Sequence, residues 1–505
     1  MAFLIALIPT LSFQWPVTLD IFYHVHIAEV YSHYGFTLVD PLVNPPSGNP
    51  ITYPPVFSLL IMIIGSLLKV DYFTVAKILQ PILAFSVVLT TSYVSKKFYG
   101  NIAGISTGFL IMTSYLFTRL VSPLPETLAL VFVPLVIYLY YKATVSGKYK
   151  YALASSLIFI LVILTHQATT LLLFLIITFI TLVILVSKRR LCFLKNYIIF
   201  ILLPLVIGIV SYGAALFVAP NFAAKILTVL LSYSTSLPFS DPISIWKYLV
   251  YLGIVLIFVV VGLYVSLKRR NCKDIFILSW IISLFLLSYS YLVGVNVYTL
   301  RVLIHLLIPL TIIGGLGLSY LYHDYKKLEF NSTKNIRIIF LIAIFLISTL
   351  FAVSTMENSN FQIIPNQNTE PYGSSLKLPQ IVPPTNSDTE LASWFTAHGD
   401  NKTVVVSNNY VTNQFLLAVT GQPIADILSS EHVIEWGFQN SELTNKDIGY
   451  FVFDKRLEFN NTPDKIISHG GFIYYNSNYN ITSILPSNVK LVYENQNYMV
   501  FQVNK

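Results

Sequence analysis

The chain has 505 residues, of which 55% are hydrophobic and 11% are charged, and its mean hydropathy is +0.69. This composition excludes an ordinary water-soluble protein, and repeated apolar stretches of about 20 residues indicate a chain that crosses a membrane many times. The pI of about 9.1 does not indicate nucleic-acid binding, because the basic residues lie in short loops between the apolar stretches.

Charge divides the chain into two parts. Residues 1–355 contain 23 Lys and Arg residues against 9 Asp and Glu residues, whereas residues 356–505 contain 8 against 14. This asymmetry predicts a polytopic α-helical membrane domain over 1–356 and an extracytoplasmic α/β domain over 387–505. A segment rich in Pro, Asn and Ser, 357–386, is the expected linker.

The apolar stretches of the first part predict about eleven membrane-spanning helices. The third of them covers about 101–119, and the seventh leads to an external loop from Ala219 to Trp246. Lys and Arg residues gather at alternate ends of these stretches, at 96–97, 142–150, 188–190 and 268–270. Because cytoplasmic loops carry the excess of Lys and Arg, the pattern predicts a multi-pass protein of the plasma membrane with a cytoplasmic N-terminus. Residues 53–68 are apolar but short, which is typical of a re-entrant or interfacial helix.

The C-terminal part alternates helical and strand patterns. Helical periodicity covers 389–397 and about 412–419, and β-rich segments cover 403–407, 448–453 and 498–503. These patterns predict a small α/β domain.

Candidate chemistry begins in the external loop 16–54, directly after the first apolar stretch. Asp20 and His24 are four residues apart and share one face of a predicted helix, with Glu29 roughly on the same side. Ionisable groups at a membrane boundary are costly unless they bind or react with something. We therefore expect Asp20 and His24 to be catalytic and Glu29 to bind substrate. The alternatives are that Asp20 caps the helix and that His24 is a hydrogen-bonded packing residue.

Three further ionisable residues lie near the predicted outer ends of spans. Glu126 opens a span and is a candidate second catalytic acid or metal ligand, or only a helix cap. His166 lies in a predicted external turn, where it would bind substrate or simply pack. Arg301 enters a span from outside, where a guanidinium would bind a lipid phosphate or reach to the headgroups. The span that Arg301 opens also carries small residues that suit close helix packing, namely Gly314, Gly315 and Gly317.

Short motifs occur in a particular order along the chain. They are Asp20-x-x-x-His24 followed by Glu29, Tyr53-Pro-Pro55, Lys96-Lys-Phe-Tyr-Gly100, Ser122-Pro-Leu-Pro-Glu126, Thr165-His166, Leu300-Arg301 and Glu390-Leu-Ala-Ser-Trp394. This order resembles that of archaeal GT-C class membrane glycosyltransferases. That class includes relatives of the oligosaccharyltransferase catalytic subunits and of the dolichyl-phosphate-mannose-dependent transferases.

The resemblance implies an enzyme that transfers a sugar, a hexose or a pentose, from a polyprenyl-phosphate carrier to an acceptor at the extracytoplasmic face. It implies that Asp20 is the catalytic carboxylate, that Glu126 stands at the second acidic motif, and that Arg301 lies near the lipid phosphate. Tyr53 and His166 are counted with the substrate-binding residues. The lipid-phosphate sugar is then a co-substrate. A divalent cation, Mg²⁺ or Mn²⁺, would bind Asp20 and Glu126 if the enzyme uses one.

The expected partners are membrane lipids, the polyprenyl-phosphate sugar donor and a glycan, lipid or protein acceptor, with no nucleic acid. Oligosaccharyltransferases carry Trp-Trp-Asp-Tyr-Gly after a strand, but this chain reads Ser407-Asn-Asn-Tyr-Val411 there. A monosaccharide transferase therefore fits better than an oligosaccharyltransferase with a degenerate acceptor motif. A transporter or a non-enzymatic scaffold is the alternative from another class, and a transporter would place ionisable residues near the bilayer midplane.

Overall fold

A computed structural model describes residues 1–188, 192–232, 244–295, 299–324, 333–358, 384–400, 402–425, 448–459, 466–469, 472–476, 478 and 489–503. Contacts between residues divide these into two compact units. The first unit comprises residues 1–12, 53–57 and 77–359, and the second comprises residues 13–52, 58–76 and 360–505. Most of the predicted linker, 359–383, lies outside the described residues.

Six helices are long and apolar enough to cross a membrane, or seven if one bent pair counts as a single span, within the described ranges. They are Tyr72–Tyr99, Pro125–Ser146, Gln167–Ser187, Leu194–Val218, Arg301–His323 and Ile338–Met356, and the bent pair is Ile245–Leu252 with Val255–Arg269. Shorter apolar helices of 10–17 residues are Ala2–Ser12, Val56–Leu68, Asn101–Met112 and Tyr149–Ile163. The polytopic helical fold is thus confirmed, whereas the number eleven stays a prediction.

The helices of the first unit follow one another with short connections. They are α1 (Ala2–Ser12), α4 (Tyr72–Tyr99, from Lys77 onward), α5 (Asn101–Met112), α6 (Phe117–Val121), α7 (Pro125–Ser146), α8 (Tyr149–Ile163), α9 (Gln167–Lys188), α10 (Cys192–Val218), α11 (Pro220–Ser232), α12 (Ile245–Leu252), α13 (Val255–Arg269), α14 (Cys272–Ser288), α15 (Thr299–Asp324) and α16 (Thr333–Asn358).

Two of these elements differ from the sequence-based expectation. The predicted third span, 101–119, is interrupted, because α5 ends at Met112 and a turn precedes α6. The segment from Ala219 onward, expected to be an external loop, begins with the helix α11. Its apolar residues repeat at helical spacing, a pattern that the prediction overlooked.

Helix α15 is the core of the first unit, because its residues 302–319 are all buried. It packs against α5, α13 and α14, and the predicted glycines lie at these contacts. A Cβ on Gly315 would lie 2.6 Å from the carbonyl oxygen of Ala103 in α5, and one on Gly317 would lie 2.7 Å from the backbone nitrogen of Gly262 in α13. The predicted close helix packing is confirmed.

The second unit contains α2 (Ile21–Tyr34), most of α3 (Val56–Leu68), α17 (Asn386–His398) and α18 (Tyr410–Thr420). Its strands are β1 (Val39–Asp40), β2 (Asn49–Pro50), β3 (Val404–Ser407), β4 (Ile448–Asp454), β5 (Glu458–Phe459), β6 (Ile466–His469), β7 (Phe472–Asn476), β8 (Val489–Glu494) and β9 (Tyr498–Val503). The predicted helices and strands of the α/β domain are confirmed.

The described strands form a mixed sheet in the order β3-β4-β9-β8, in which β3 runs parallel to β4 and the other neighbours are antiparallel. A second sheet has the order β5-β7-β6, and β1 pairs with β2. The core of the main sheet is aromatic and β-branched, with Phe451, Phe453 and Phe501 fully or almost fully buried. Such residues favour strands because they fill a pleated surface well.

The loop after α1, which carries Asp20, packs onto the α/β elements and belongs to the same unit. Trp15 and Phe22 make edge-to-face ring contacts with Phe415 of α18, at centroid distances of 6.0 and 5.3 Å. Ile424 exchanges backbone hydrogen bonds with the loop, donating to Leu42 at 2.9 Å and accepting from Asn44 at 2.8 Å. The loop that carries Asp20 is therefore held by the C-terminal fold.

A buried ion cluster joins α17 to β4 and β9 in the same unit. Arg456 donates to Asp454 at 2.7 Å and to Asp388 at 3.0 Å, and both carboxylates are fully buried. Tyr498 hydrogen-bonds Asp388 and Arg456 as well. Removing one partner of such a cluster leaves a buried charge unpaired, so the cluster fixes the relative positions of these three elements.

We expect Gly317→Ala to destabilise the first unit, because the added Cβ overlaps backbone atoms of Phe258 and Gly262 that cannot move independently. Overpacking of this kind costs about 1–3 kcal/mol. The measurement is the apparent thermal midpoint in detergent. The matched control is Gly208→Ala on α10, where a Cβ meets nothing within 4 Å. Equal midpoints for the two variants would contradict the packing described for α15.

Candidate functional site

Glu126 is a buried carboxylate at the start of α7 in the first unit. Its residue is 3% exposed, and its Oε2 accepts a hydrogen bond of 3.3 Å from Nη2 of Arg119, which lies on the short helix α6. Its Oε1 is buried and has no hydrogen-bond partner in the described part of the chain. A carboxylate oxygen in this state needs a donor or a cation, and this makes Glu126 a candidate ligand-binding group.

A hydrogen-bonded chain of three side chains lies in the same unit. His166 directly precedes α9, and its Nδ1 lies 2.8 Å from the hydroxyl of Thr169 and 3.2 Å from the backbone nitrogen of Thr169. The same hydroxyl lies 3.0 Å from Nε2 of His305 on α15. Burial lowers the pKa of His166 to about 3, so its imidazole is neutral at physiological pH.

The structure brings the predicted residues of the first unit together. Glu126 interacts electrostatically with Arg119, His166, Arg301 and His305. Arg301 begins the spanning part of α15, and its backbone carbonyl accepts a hydrogen bond of 2.8 Å from Nδ1 of His305. We call these five residues the Glu126 cluster.

Tyr53 lies beside the Glu126 cluster in the same unit. Its ring is 6.4 Å from that of His166, centroid to centroid, and tilted by 47°. Two of the predicted substrate-binding residues, His166 and Arg301, therefore interact with one buried carboxylate, and a third, Tyr53, lies beside His166.

The fit of a divalent cation depends on the oxygen that Glu126 leaves unpaired. No group of three or more His, Cys, Asp or Glu side chains within the described ranges could hold a metal ion. Mg²⁺, however, usually binds through one or two carboxylates together with water and substrate phosphate. Oε1 of Glu126 suits that mode, in which much of the coordination comes from the substrate.

Asp20 lies in the second unit, where it precedes the first residue of α2. Its side chain is exposed and makes no capping hydrogen bond to the helix. The alternative that this carboxylate caps α2 is thus not what the structure shows. The carboxylate is accessible to a substrate.

His24 and His26 are buried on α2. Nδ1 of His24 lies 3.2 Å from the hydroxyl of Ser58, and Nε2 of His26 lies 2.8 Å from Oδ2 of Asp40. Burial lowers the pKa of His24 to about 3. The catalytic role of His24 stays a prediction, and its surroundings match the alternative of a packing residue.

Glu29 also lies on α2 and is partly buried. Burial raises the pKa of its carboxyl to about 7, although nearby His26 and His33 act in the opposite direction. A carboxyl that titrates near neutrality can hold a proton at physiological pH. The predicted role of Glu29 in substrate binding stays a prediction.

The segment Ser407–Val411 has internal partners. Asn409 accepts from the backbone nitrogen of Val411 at 3.0 Å and donates to Asp454 at 2.8 Å, and Asn408 accepts from the backbone nitrogen of Asp454 at 2.8 Å. Both asparagines are fully or almost fully buried. These amides therefore hold β3, α18 and β4 together.

Thr169 and His305 were not expected from the sequence. A threonine in an apolar helix commonly bonds its own backbone, so Thr169 alone carries no signal. His305 follows Arg301 by four residues, which places both on one face of α15. That spacing inside a span was the available signal, because ionisable residues in apolar spans usually have a function.

No protein-family model and no curated protein matches the chain. Solved structures do. The apo oligosaccharyltransferase of Archaeoglobus fulgidus has a TM-score of 0.62 at 14% identity, over 90% of this chain and 69% of that chain. ArnT from Cupriavidus metallidurans bound to undecaprenyl phosphate has a TM-score of 0.66 at 11% identity, over 99% and 96%. The mycobacterial arabinofuranosyltransferase AftD has a TM-score of 0.53 at 12% identity, and this chain spans 39% of its length.

These three proteins are GT-C glycosyltransferases, and the chain has the GT-C fold. The expected fold class is confirmed: a multi-pass membrane protein with a C-terminal sheet region. At identities of 14% or less the likeness establishes the fold, and the site residues must carry the argument about the reaction.

We expect Glu29→Gln to change how stability depends on pH. The folded pKa of about 7 lies above the ordinary value of 4.5, so the folded state binds more protons between these values and stability falls as pH rises through them. Glutamine cannot ionise, so the variant should exceed the wild type in apparent thermal midpoint at about pH 8, and the difference should vanish near pH 4. Glu390→Gln, at an exposed position, is the control. Parallel pH profiles for wild type and Glu29→Gln would refute the assignment.

Proposed function

We propose that this protein is a membrane glycosyltransferase that takes a sugar from a polyprenyl-phosphate-linked donor and transfers it to an acceptor at the extracytoplasmic face. The observation that carries the proposal is the Glu126 cluster. It combines two guanidinium groups, two imidazoles and one buried carboxylate with an unpaired oxygen. Guanidinium groups bind phosphate through paired hydrogen bonds, and a buried setting strengthens them.

The Glu126 cluster would hold the phosphate of the donor. Arg301 is the first candidate for the phosphate contact, because it starts a span and interacts with the cluster electrostatically. Its positive charge would stabilise the negative charge that develops on the lipid phosphate as the bond to the sugar breaks. Among the structural neighbours, ArnT was solved with undecaprenyl phosphate and the Archaeoglobus oligosaccharyltransferase with dolichol phosphate, which supports this class of donor.

Asp20 would act as the general base. In this mechanism its carboxylate withdraws the proton of the acceptor while the acceptor oxygen attacks the anomeric carbon of the sugar. The exposed side chain of Asp20, which is not used as a helix cap, supports this role, as does its place in the first external loop. The acceptor is a glycan, a lipid or a protein.

The proposed function includes a divalent cation bound at the substrate phosphate. Oε1 of Glu126 is the group of the first unit that would bind it, together with oxygens of the substrate phosphate. When bound, such an ion neutralises charge on the leaving phosphate. One neighbour was solved with Zn and sulfate.

The internal hydrogen bonds of Asn408 and Asn409 favour a monosaccharide transferase over an oligosaccharyltransferase. These two amides occupy the place of the acceptor-recognition motif, and they bind Asp454 and the main chain instead of facing a peptide. A transporter is less well supported, because the titratable residues of the Glu126 cluster lie at helix starts or in the turn before α9, apart from His305.

We expect Asp20→Asn to lower sugar transfer by at least about a hundredfold, since loss of a general base typically costs that much or more. Transfer is measured from a labelled polyprenyl-phosphate sugar by purified protein, and binding of polyprenyl phosphate is measured in parallel. Binding should persist, because the Glu126 cluster is unchanged. The matched control is Asp71→Asn, whose side chain can keep its cap on the backbone nitrogen of Thr74 at 2.8 Å.

Equal transfer by wild type and Asp20→Asn would remove Asp20 from the chemistry. A wild type that binds no polyprenyl phosphate would remove the donor assignment, and solute uptake by proteoliposomes without transfer would favour the transporter.

A further inference from the structure

At both ends of the hydrogen-bonded chain His166–Thr169–His305, the structure fixes which atom donates and which atom accepts. At one end, Nδ1 of His166 faces the backbone N–H of Thr169 at 3.2 Å. A backbone N–H can only donate, so this ring nitrogen has to be the acceptor. At the other end, Nδ1 of His305 faces the carbonyl oxygen of Arg301 at 2.8 Å, which can only accept, so that nitrogen has to be protonated.

The hydroxyl of Thr169 joins the two imidazoles. It lies 2.8 Å from Nδ1 of His166 and 3.0 Å from Nε2 of His305, and it has one proton to donate. Whichever ring receives that proton, Nδ1 of His166 stays an acceptor, because the backbone N–H of Thr169 does not change. A neutral imidazole carries its single proton on the other nitrogen, so Nε2 of His166 is an N–H donor.

Two observations indicate that this donor has a ligand. Among the described residues, Nε2 of His166 has no hydrogen-bond partner, although the residue is only 5% exposed. The neighbouring Glu126 carries a buried carboxylate oxygen without a partner as well. The buried oxygen of Glu126 is costly to leave unpaired, and the N–H of His166 beside it has no protein partner among the described residues, so both groups are available to a ligand.

We infer that His166 is a neutral hydrogen-bond donor, through Nε2–H, to an anionic oxygen of the donor phosphate. The backbone N–H of Thr169 sets its tautomer, and the hydroxyl of Thr169, held in turn by His305, is the positioning group that sets the orientation of its ring. This inference rests on the proposed function. It assigns His166 a role that excludes general-base catalysis in the resting protein, since the nitrogen that points away from its partners already carries a proton. Arg301 provides a positive charge near the same phosphate, and the Nε2–H of His166 orients the phosphate through a directional hydrogen bond.

The tautomer is measured without any ligand. In protein labelled with ¹⁵N-histidine, protonated and unprotonated ring nitrogens have distinct chemical shifts, and the signal of His166 among the nine histidines is identified by its loss in His166→Gln. The expected result is a protonated Nε2 and an unprotonated Nδ1 at neutral pH. A protonated Nδ1, in either the neutral ring or the imidazolium, would overturn the inference.

The donor role is measured with two substitutions that keep different halves of the imidazole. The amide nitrogen of Gln reaches the position of Nε2, whereas that of Asn reaches only the position of Nδ1. His166→Gln should bind polyprenyl phosphate about as well as the wild type, and His166→Asn should bind about tenfold more weakly, as for one lost hydrogen bond to a charged group. Uncharged polyprenol is the control ligand, and the two variants should bind it with equal affinity.

Thr169 offers an independent test. Thr169→Val keeps the shape but removes the hydroxyl and should weaken binding of polyprenyl phosphate, whereas Thr169→Ser should restore it. Equal affinities of His166→Gln and His166→Asn, or of Thr169→Val and Thr169→Ser, would overturn the inference while leaving the proposed function intact. A wild type that binds neither polyprenyl phosphate nor a lipid-linked sugar would overturn both.

Discussion

The Glu126 cluster depends on one constraint: a carboxylate buried in an apolar membrane domain must have partners. Glu126 is 3% exposed, and within the described ranges Arg119 is the residue that hydrogen-bonds it, through one oxygen. Burying an ion without full pairing costs several kcal/mol. A role in packing alone does not offset a cost of that size. The unpaired oxygen, the two imidazoles and Arg301 are therefore most simply explained as parts of a site that is completed by a substrate. That substrate brings an anion for the guanidinium groups and donors or a cation for the carboxylate.

The helix packing of the first unit is what makes such a cluster possible. Helix α15 is buried over residues 302–319, and its glycines allow α5 and α13 to approach its backbone closely. This close contact fixes the rotation of α15, on which Arg301 and His305 lie one turn apart and both interact electrostatically with Glu126. In the second unit, the C-terminal fold has a corresponding role, because Ile424 and Phe415 hold the loop that carries Asp20. In both units, the contacts that stabilise the fold therefore also hold the backbone segments that carry the predicted site residues.

Much of this could be predicted from the sequence, and the reasons are physical. Apolar periodicity predicts the spans and the α/β elements, and scarcity of charge makes Glu126, His166 and Arg301 conspicuous. Hydrophobic periodicity does not show which face of a helix will be covered by a segment that is distant in the sequence. Asp20 and His24 share a helical face in projection, yet Ser58 covers His24 and leaves Asp20 exposed. Thr169 and His305 escaped notice because their role arises only when α9 and α15 are neighbours, a tertiary contact without a local pattern.

The choice of donor shows whether the Glu126 cluster serves transfer from a lipid-phosphate sugar. Purified wild-type protein in proteoliposomes would be given matched sugars, labelled identically, on polyprenyl phosphate or on a nucleoside diphosphate. We expect transfer from the polyprenyl-phosphate sugar alone, with release of polyprenyl phosphate in equal amount. Transfer from the nucleotide sugar, with release of the nucleoside diphosphate, would refute this.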